Sequence, residues 1–258
     1  MSRREQHQDT YFPEGEDFFK LINKIETQCV QETESNLSTL GNQIPKCYKQ
    51  LGIVLSLMYR MGCCHWGCHG KEHTIEHLVG RTVTSSMAAL RLIKFGYYDE
   101  ALAIIRNIDE IGNLTFLFYN KHEYIEEWRL LSDRERKNKF SPPKVREILE
   151  TLKVIVPTDK ERYGLLCEIG VHVTPNTTPQ TYNLLGKPIL GNVYQSLGLI
   201  ICINELCWAV ATVAAPAAKI ALIDRKYAEH IFEVAIKLAS LIGSIRIEVL
   251  KELKDSRK

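Results

Sequence analysis

The chain has 258 residues, 45% of them apolar and 25% charged, with a formal net charge of +2 and a pI near 8.1. That is the usual globular balance, and the length is enough to bury a core without disulfide staples. The charge excludes a strong overall field for nucleic acid, so any basic surface must be local. The polar start, 1–9, lacks the apolar stretch of a secretory signal. The eight cysteines therefore read as metal ligands or small core residues in a reducing, cytoplasmic setting.

In chain order, 1–16 reads as disordered, 18–30 as a first helix, 31–45 as a polar connector and 47–61 as a second apolar helix. These N-terminal helices, 17–62, lead into a Cys/His cluster at 63–77. Ile75, Leu78, Val79, Val83, Met87, Leu90 and Ile93 recur at three-to-four spacing, which predicts a helix over 72–95 stopped by Gly96. Asp99 is the expected N-cap of the next helix, through residue 118.

The segment 129–146 carries Arg129, Arg134, Arg136, Lys137, Lys139, Lys144 and Arg146 against Asp133 and Glu135. It reads as a solvated charged linker, with a phosphate-tracking strip as the alternative. Ser141-Pro142-Pro143 then suits a helix start. A short helix is expected over 163–172, a Thr/Pro/Asn/Gly-rich loop over 173–191, and two long helices over 192–215 and 225–254. The apolar stretch 197–223 is long enough to span a bilayer, yet Asn204-Glu205 and Pro216 favour a buried core helix and no membrane. No strand alternation persists, so the fold class is all-α, a helical bundle over 72–254.

Three cysteines and four histidines fall within 63–77, between glycines that permit tight turns. Thiolate and imidazole are zinc ligands, and close spacings let one loop supply several. The expected set is Cys64, Cys68 and His73, completed by His77, Cys63 or a remote cysteine, around one structural Zn(2+). His73-Thr-Ile-Glu76-His77 also matches the H-x-x-E-H pattern of zinc peptidases. Arg60 and His65 stand in an R-x4-H arrangement.

A second group of polar residues lies on the helices. Arg106, Glu110 and Asn113 share one face with Leu102 and Leu117. Glu168 and His172 are four apart, and Asn204-Glu205 interrupts an apolar helix. Buried polar groups need partners, so these pairs are expected to meet. The polar face is otherwise an ordinary solvated stripe. No P-loop, Rossmann glycine pattern or G-x-S-x-G elbow occurs.

Cys64-x3-Cys68-x4-His73, Gly80-Arg81, the run Phe95-Gly-Tyr-Tyr-Asp-Glu-Ala101, Arg106-x3-Glu110 and Cys167-Glu168-x3-His172-Val-Thr-Pro resemble a bacterial family of helical proteins related to HEPN domains. The resemblance spans 63–205. It implies a HEPN-like bundle with a zinc knuckle, kin to metal-independent ribonucleases of toxin–antitoxin and phage-defence systems. On that implication the chain is an RNA-cleaving toxin or antiviral effector that forms homo-oligomers and answers to a phage-protein trigger or an antitoxin. His172 would then move the proton, Arg106 would meet the phosphate, and Glu110 and Glu168 would orient them. The usual HEPN motif sets arginine and histidine on one helix, whereas Arg106 and His172 are far apart. The alternatives are a non-catalytic zinc-bearing sensor or binding module, and the H-x-x-E-H peptidase.

Overall fold

The computed structural model describes residues 12–41, 43–66, 72–173, 177–183 and 185–250. Most of the stretch expected to be disordered, 1–11, lies outside them, as do Cys68 and residues 251–254 of the expected last helix. The described residues form ten helices and no strand: α1 (Glu16–Leu37), α2 (Gln43–Gly62), α3 (Thr74–Lys94), α4 (Tyr98–Asn120), α5 (Glu123–Leu130), α6 (Asp133–Phe140), α7 (Pro142–Thr151), α8 (Lys160–Gly170), α9 (Ser196–Ile220) and α10 (Arg225–Leu241).

The all-round apolar character of α9 decides its place, because such a helix finds no solvent face and must be buried. It is the one described helix long and apolar enough to cross a membrane, and 78% of its apolar window is buried in the protein. Around it pack α4, α10, α2 and α3. The α4–α9 crossing is close: a Cβ on Gly112 would lie 2.6 Å from Thr212 Oγ1. Cys47, Leu51, Val54 and Met58 of α2 enter the same core as Leu102, Ile105 and Ile108 of α4.

The stop after α3 is where the sequence places it. Gly96 has φ +80°, its N–H reaches Ile93 O at 3.1 Å, and the Tyr97 N–H reaches Leu92 O at 2.9 Å. This double closure satisfies the last carbonyls of α3 and needs the left-handed residue that glycine supplies without strain. A Cβ there would also strike the Val193 backbone.

Several expectations are corrected. α1 continues through the polar run to Leu37, because Gln and Glu favour helix and only Cys29 and Thr33 need burial. The connector thus shrinks to a few residues. Tyr97, not Asp99, caps α4. Asp99 sits in the first turn, where its carboxylate accepts from Tyr182 OH at 2.6 Å and Gln180 N at 2.8 Å. The loop 177–195 is thereby tied to α4.

The charged linker is helical. Ser132 and Glu135 form a capping box that starts α6, and Phe140, Val145 and Leu149 bury into a small second core with Leu117. Four of its seven basic side chains are paired: Arg129 with Glu126 and Glu72, Arg136 with Asp133, Lys139 with Glu127, Lys144 with Glu147. Finally, α10 ends at Leu241, and the following segment runs back across α9.

Candidate functional site

Arg106 and Glu110 meet as their spacing on α4 predicts, and their partners on α8 are Cys167, at the head of the Cys167-Glu168-x3-His172 pattern, and Tyr163, which the sequence pattern did not mark. Arg106 Nη2 donates to Glu110 Oε1 at 2.6 Å and also to the Tyr163 hydroxyl, and Arg106 Nε donates to Cys167 Sγ at 3.0 Å. The Tyr163 hydroxyl in turn donates to Glu110 Oε1 at 2.8 Å. Burial pushes the Tyr163 phenol up to about 12, against the pull of Arg106, so it stays a neutral donor.

Tyr163 and Cys167 are four apart and share the α8 face turned to α4. Glu168 lies a further 100° round the helix and is exposed. His172 follows the end of α8 and is also exposed. The expected meeting of Glu168–His172 with Arg106–Glu110 therefore does not occur. Glu168 instead borders a shallow cleft with Asp99, Thr178 and Tyr182.

Asn113, on the same α4 face, is buried and clamps the peptide before α8. Its Nδ2 donates to Thr158 O at 2.8 Å, and its Oδ1 accepts from Thr158 N at 2.9 Å. Beside Glu110 and Asn113 opens a cavity of about 260 Å³ between α3, α4, α5, the end of α6 and α7, walled by Leu114, Trp128, Phe140 and Val145. Mixed apolar walls with a few fixed polar groups are the usual makeup of a small-molecule site. Next to it Arg146, 7% exposed, lies over the Tyr163 ring at 4.4 Å, with Arg106 4.7 Å from the same centroid.

Glu205 meets different partners. Arg162 Nη2 donates to Glu205 Oε2, and Oε1 accepts from Arg246 Nε at 3.1 Å and Ile247 N at 3.0 Å. Asn204 holds the same returning segment through Ile245 O and the Gly243 N–H. Asp109 is fully buried with Arg162 Nε 3.9 Å away, and neither of its oxygens has a hydrogen-bonding donor. Burial pushes Asp109 up to about 6 and Glu205 up to about 8, while Arg162 pulls both back. The two acids share one guanidinium. This network joins α4, α8, α9 and the C-terminal segment far more deeply than the Arg106 cluster does.

No family model, curated protein or solved structure matches this chain.

At the turn between α2 and α3, Cys64 Sγ lies 3.6 Å from His73 Nδ1. With zinc bonds of about 2.3 Å to sulfur and 2.0–2.1 Å to nitrogen, two ligands of one tetrahedral ion stand about 3.6 Å apart. Cys64 holds φ +55°, an uncommon conformation for a residue with a side chain. The His73 and His77 rings are 5.9 Å apart, and His77 and Cys63 are exposed. Cys68 lies outside the described residues, among which no group of three metal-binding side chains converges. Cys64 and His73 thus fit a shared zinc ion, with a thiolate rather than the histidine pair alone. Trp66 stacks on Tyr227 at 4.6 Å and ties this turn to α10.

Arg60 and His65 are exposed at the end of α2, where the His65 N–H bonds Arg60 O at 2.8 Å. Of the groups that hold the interior together, the sequence pattern did not mark Asp109, Arg162 and Arg246; it placed Arg146, which is buried, in a solvated linker. A signal existed for some. Tyr163 and Cys167 repeat the four-residue spacing of Arg106 and Glu110, and Arg162 precedes that pair.

Proposed function

We propose that the chain is a non-catalytic binding module, a sensor of HEPN-like kinship with a zinc-held turn, whose ligand enters the cavity beside Glu110. One observation carries this reading. Arg106, Glu110 and Tyr163 lock one another in fixed positions at the edge of an apolar-walled cavity, and no histidine among the described residues stands with them. A preorganised polar edge on an apolar pocket suits recognition. Acid–base cleavage by His172 needs that imidazole within hydrogen-bond reach of the scissile group held by Arg106, and α8 turns it elsewhere.

Zinc in this reading is structural. Cys64 and His73 would hold it with Cys68 and His77, and its chemistry is to fix the turn between α2 and α3.

Fragment binding watched by ligand-observed NMR tests the module. Small aromatic fragments should bind the wild type and lose their site in Val145→Trp, which fills the cavity. Equal binding by both proteins would overturn the reading.

The RNA-cleaving reading, with self-association and a defence or toxin role, keeps one supporting observation, the exposed R-x4-H pair Arg60 and His65. RNA cut by the wild type and spared by Arg60→Ala and His65→Ala would move the assignment there.

A further inference from the structure

The outer faces of α2 and α3 carry positive charge that no described carboxylate balances. α2 has no acidic residue, and α3 has one, Glu76 in its first turn. At 100° per residue, Lys46, Lys49, Ile53 and Arg60 of α2 fall within about 60° of one another, in a row about 21 Å long. All four are exposed.

α3 continues this surface. The two helices are antiparallel neighbours: a Cβ on Gly62 would lie 3.1 Å from the Gly80 backbone, and Tyr48 lies beside Lys94. Gly80, Met87 and Arg91 follow at spacings of seven and four, so Met87 and Arg91 stand on the flank of α3 nearest α2. Arg81 and Thr84 are exposed next to them. On its other flank α2 meets α10, where Gln43 and Gln50 donate to Leu241 O and Val234 O. There α10 adds exposed Lys226 and Lys237 against Glu233.

Lys46, Lys49, Arg60, Arg81 and Arg91 thus share one surface, and none of the five has an ion pair among the described residues. Lys94, at the edge, is paired with Glu34 at 2.8 Å. Apolar tips stand among these cations: Ile53 is 39% exposed, Met87 47% and Tyr59 64%. Charge complementarity calls for an anionic partner, and the apolar tips decide its kind. Against a nucleic-acid backbone they would be pressed on phosphates with nothing to gain. At a bilayer surface they enter the acyl boundary, while the long basic side chains reach the headgroups.

We infer that this α2–α3 face docks peripherally on an anionic lipid surface, with α9 remaining in the protein core. Different residues form this face and the cavity beside Glu110, so loss of one leaves the other intact.

The test is sedimentation of the full-length protein with vesicles of phosphatidylcholine alone, or mixed two to one with phosphatidylserine. Wild type should sediment with the mixed vesicles and stay in solution with the neutral ones. Each cation near an anionic surface is worth about fivefold in binding, so Lys46→Gln with Lys49→Gln should weaken it about thirtyfold. Arg134→Gln with Lys137→Gln removes the same charge from the exposed side of α6 and should bind as wild type does. Ile53→Asn keeps every charge and should weaken vesicle binding by at least about threefold.

No sedimentation with the mixed vesicles overturns the inference. So does an equal loss in the α6 variant, which would reduce the effect to net charge. Ile53→Asn binding as wild type, with an RNA oligonucleotide displacing the vesicles, would overturn it in favour of a nucleic-acid surface.

Discussion

Asp109→Asn isolates the most consequential electrostatic arrangement in the fold. The carboxylate is fully buried, lacks hydrogen-bond donors, and faces Arg162 only at 3.9 Å. Its pKa rises from an ordinary 3.8 to about 6, mainly through burial, with Arg162 and the nearby Thr158 hydroxyl pulling it back. In the unfolded chain the group gives up its proton near its ordinary value, whereas the folded protein holds the proton longer. The stability tied to that proton is fully present below about pH 4 and is lost as pH rises through about 6. A shift of about two units corresponds to about 3 kcal/mol. Asparagine keeps the shape and never ionises, so the variant lacks this loss.

Urea unfolding of both proteins at constant ionic strength, at half-unit steps from pH 4.5 to 8, gives the difference curve. Every other titrating group contributes to both and largely cancels. The variant should gain on wild type by about 2 kcal/mol across that range, with most of the gain between pH 4.5 and 6. Release of Glu205 from its acidic neighbour would add to the gain above pH 7. A flat difference curve would refute the reasoning, because it would mean that Arg162 keeps Asp109 ionised in the folded protein.

Three further outcomes are expected. Glu205→Ala leaves Arg162 and Arg246 without their shared acid, and should cost about 3–5 kcal/mol in denaturant unfolding. It should also speed proteolysis within 243–250, and unchanged cleavage there would contradict the tether through Ile247. Cys64→Ser and His73→Ala should each lower zinc content measured by mass spectrometry from about one ion per chain. Full zinc in both variants would place the ion elsewhere. Asn113→Ala strips the buried Thr158 peptide of both partners and should cost about 2–4 kcal/mol by thermal unfolding, with a loss under 0.5 kcal/mol refuting the clamp.

The sequence by itself determined the helices whose patterns are strong and local. The three-to-four spacing from Ile75 to Ile93 and the stop at Gly96 define α3, and the Arg106–Glu110 pair follows from four-residue spacing on α4. The apolar run around Asn204-Glu205 forms the helix α9, with 78% of its apolar window buried in the protein. Local signals were also present and underweighted at Ser132-x-x-Glu135, where a capping box turns an apparent linker into a helix.

Partner choice was decided only by the tertiary structure. Nothing in spacing says that α8 presents Tyr163 and Cys167 to Arg106 while Glu168 and His172 face solvent. That depends on the rotation of α8 about its own axis, set by burial of Leu165 and Leu166 and by the Arg162 ion pairs. Likewise Glu205 is satisfied by Arg246 and the Ile247 N–H, 41 and 42 residues away, once the chain folds back across α9. Periodicity along one helix fixes which residues share a face. Which face meets which neighbour is fixed by packing several helices at once, and a single segment carries no record of that.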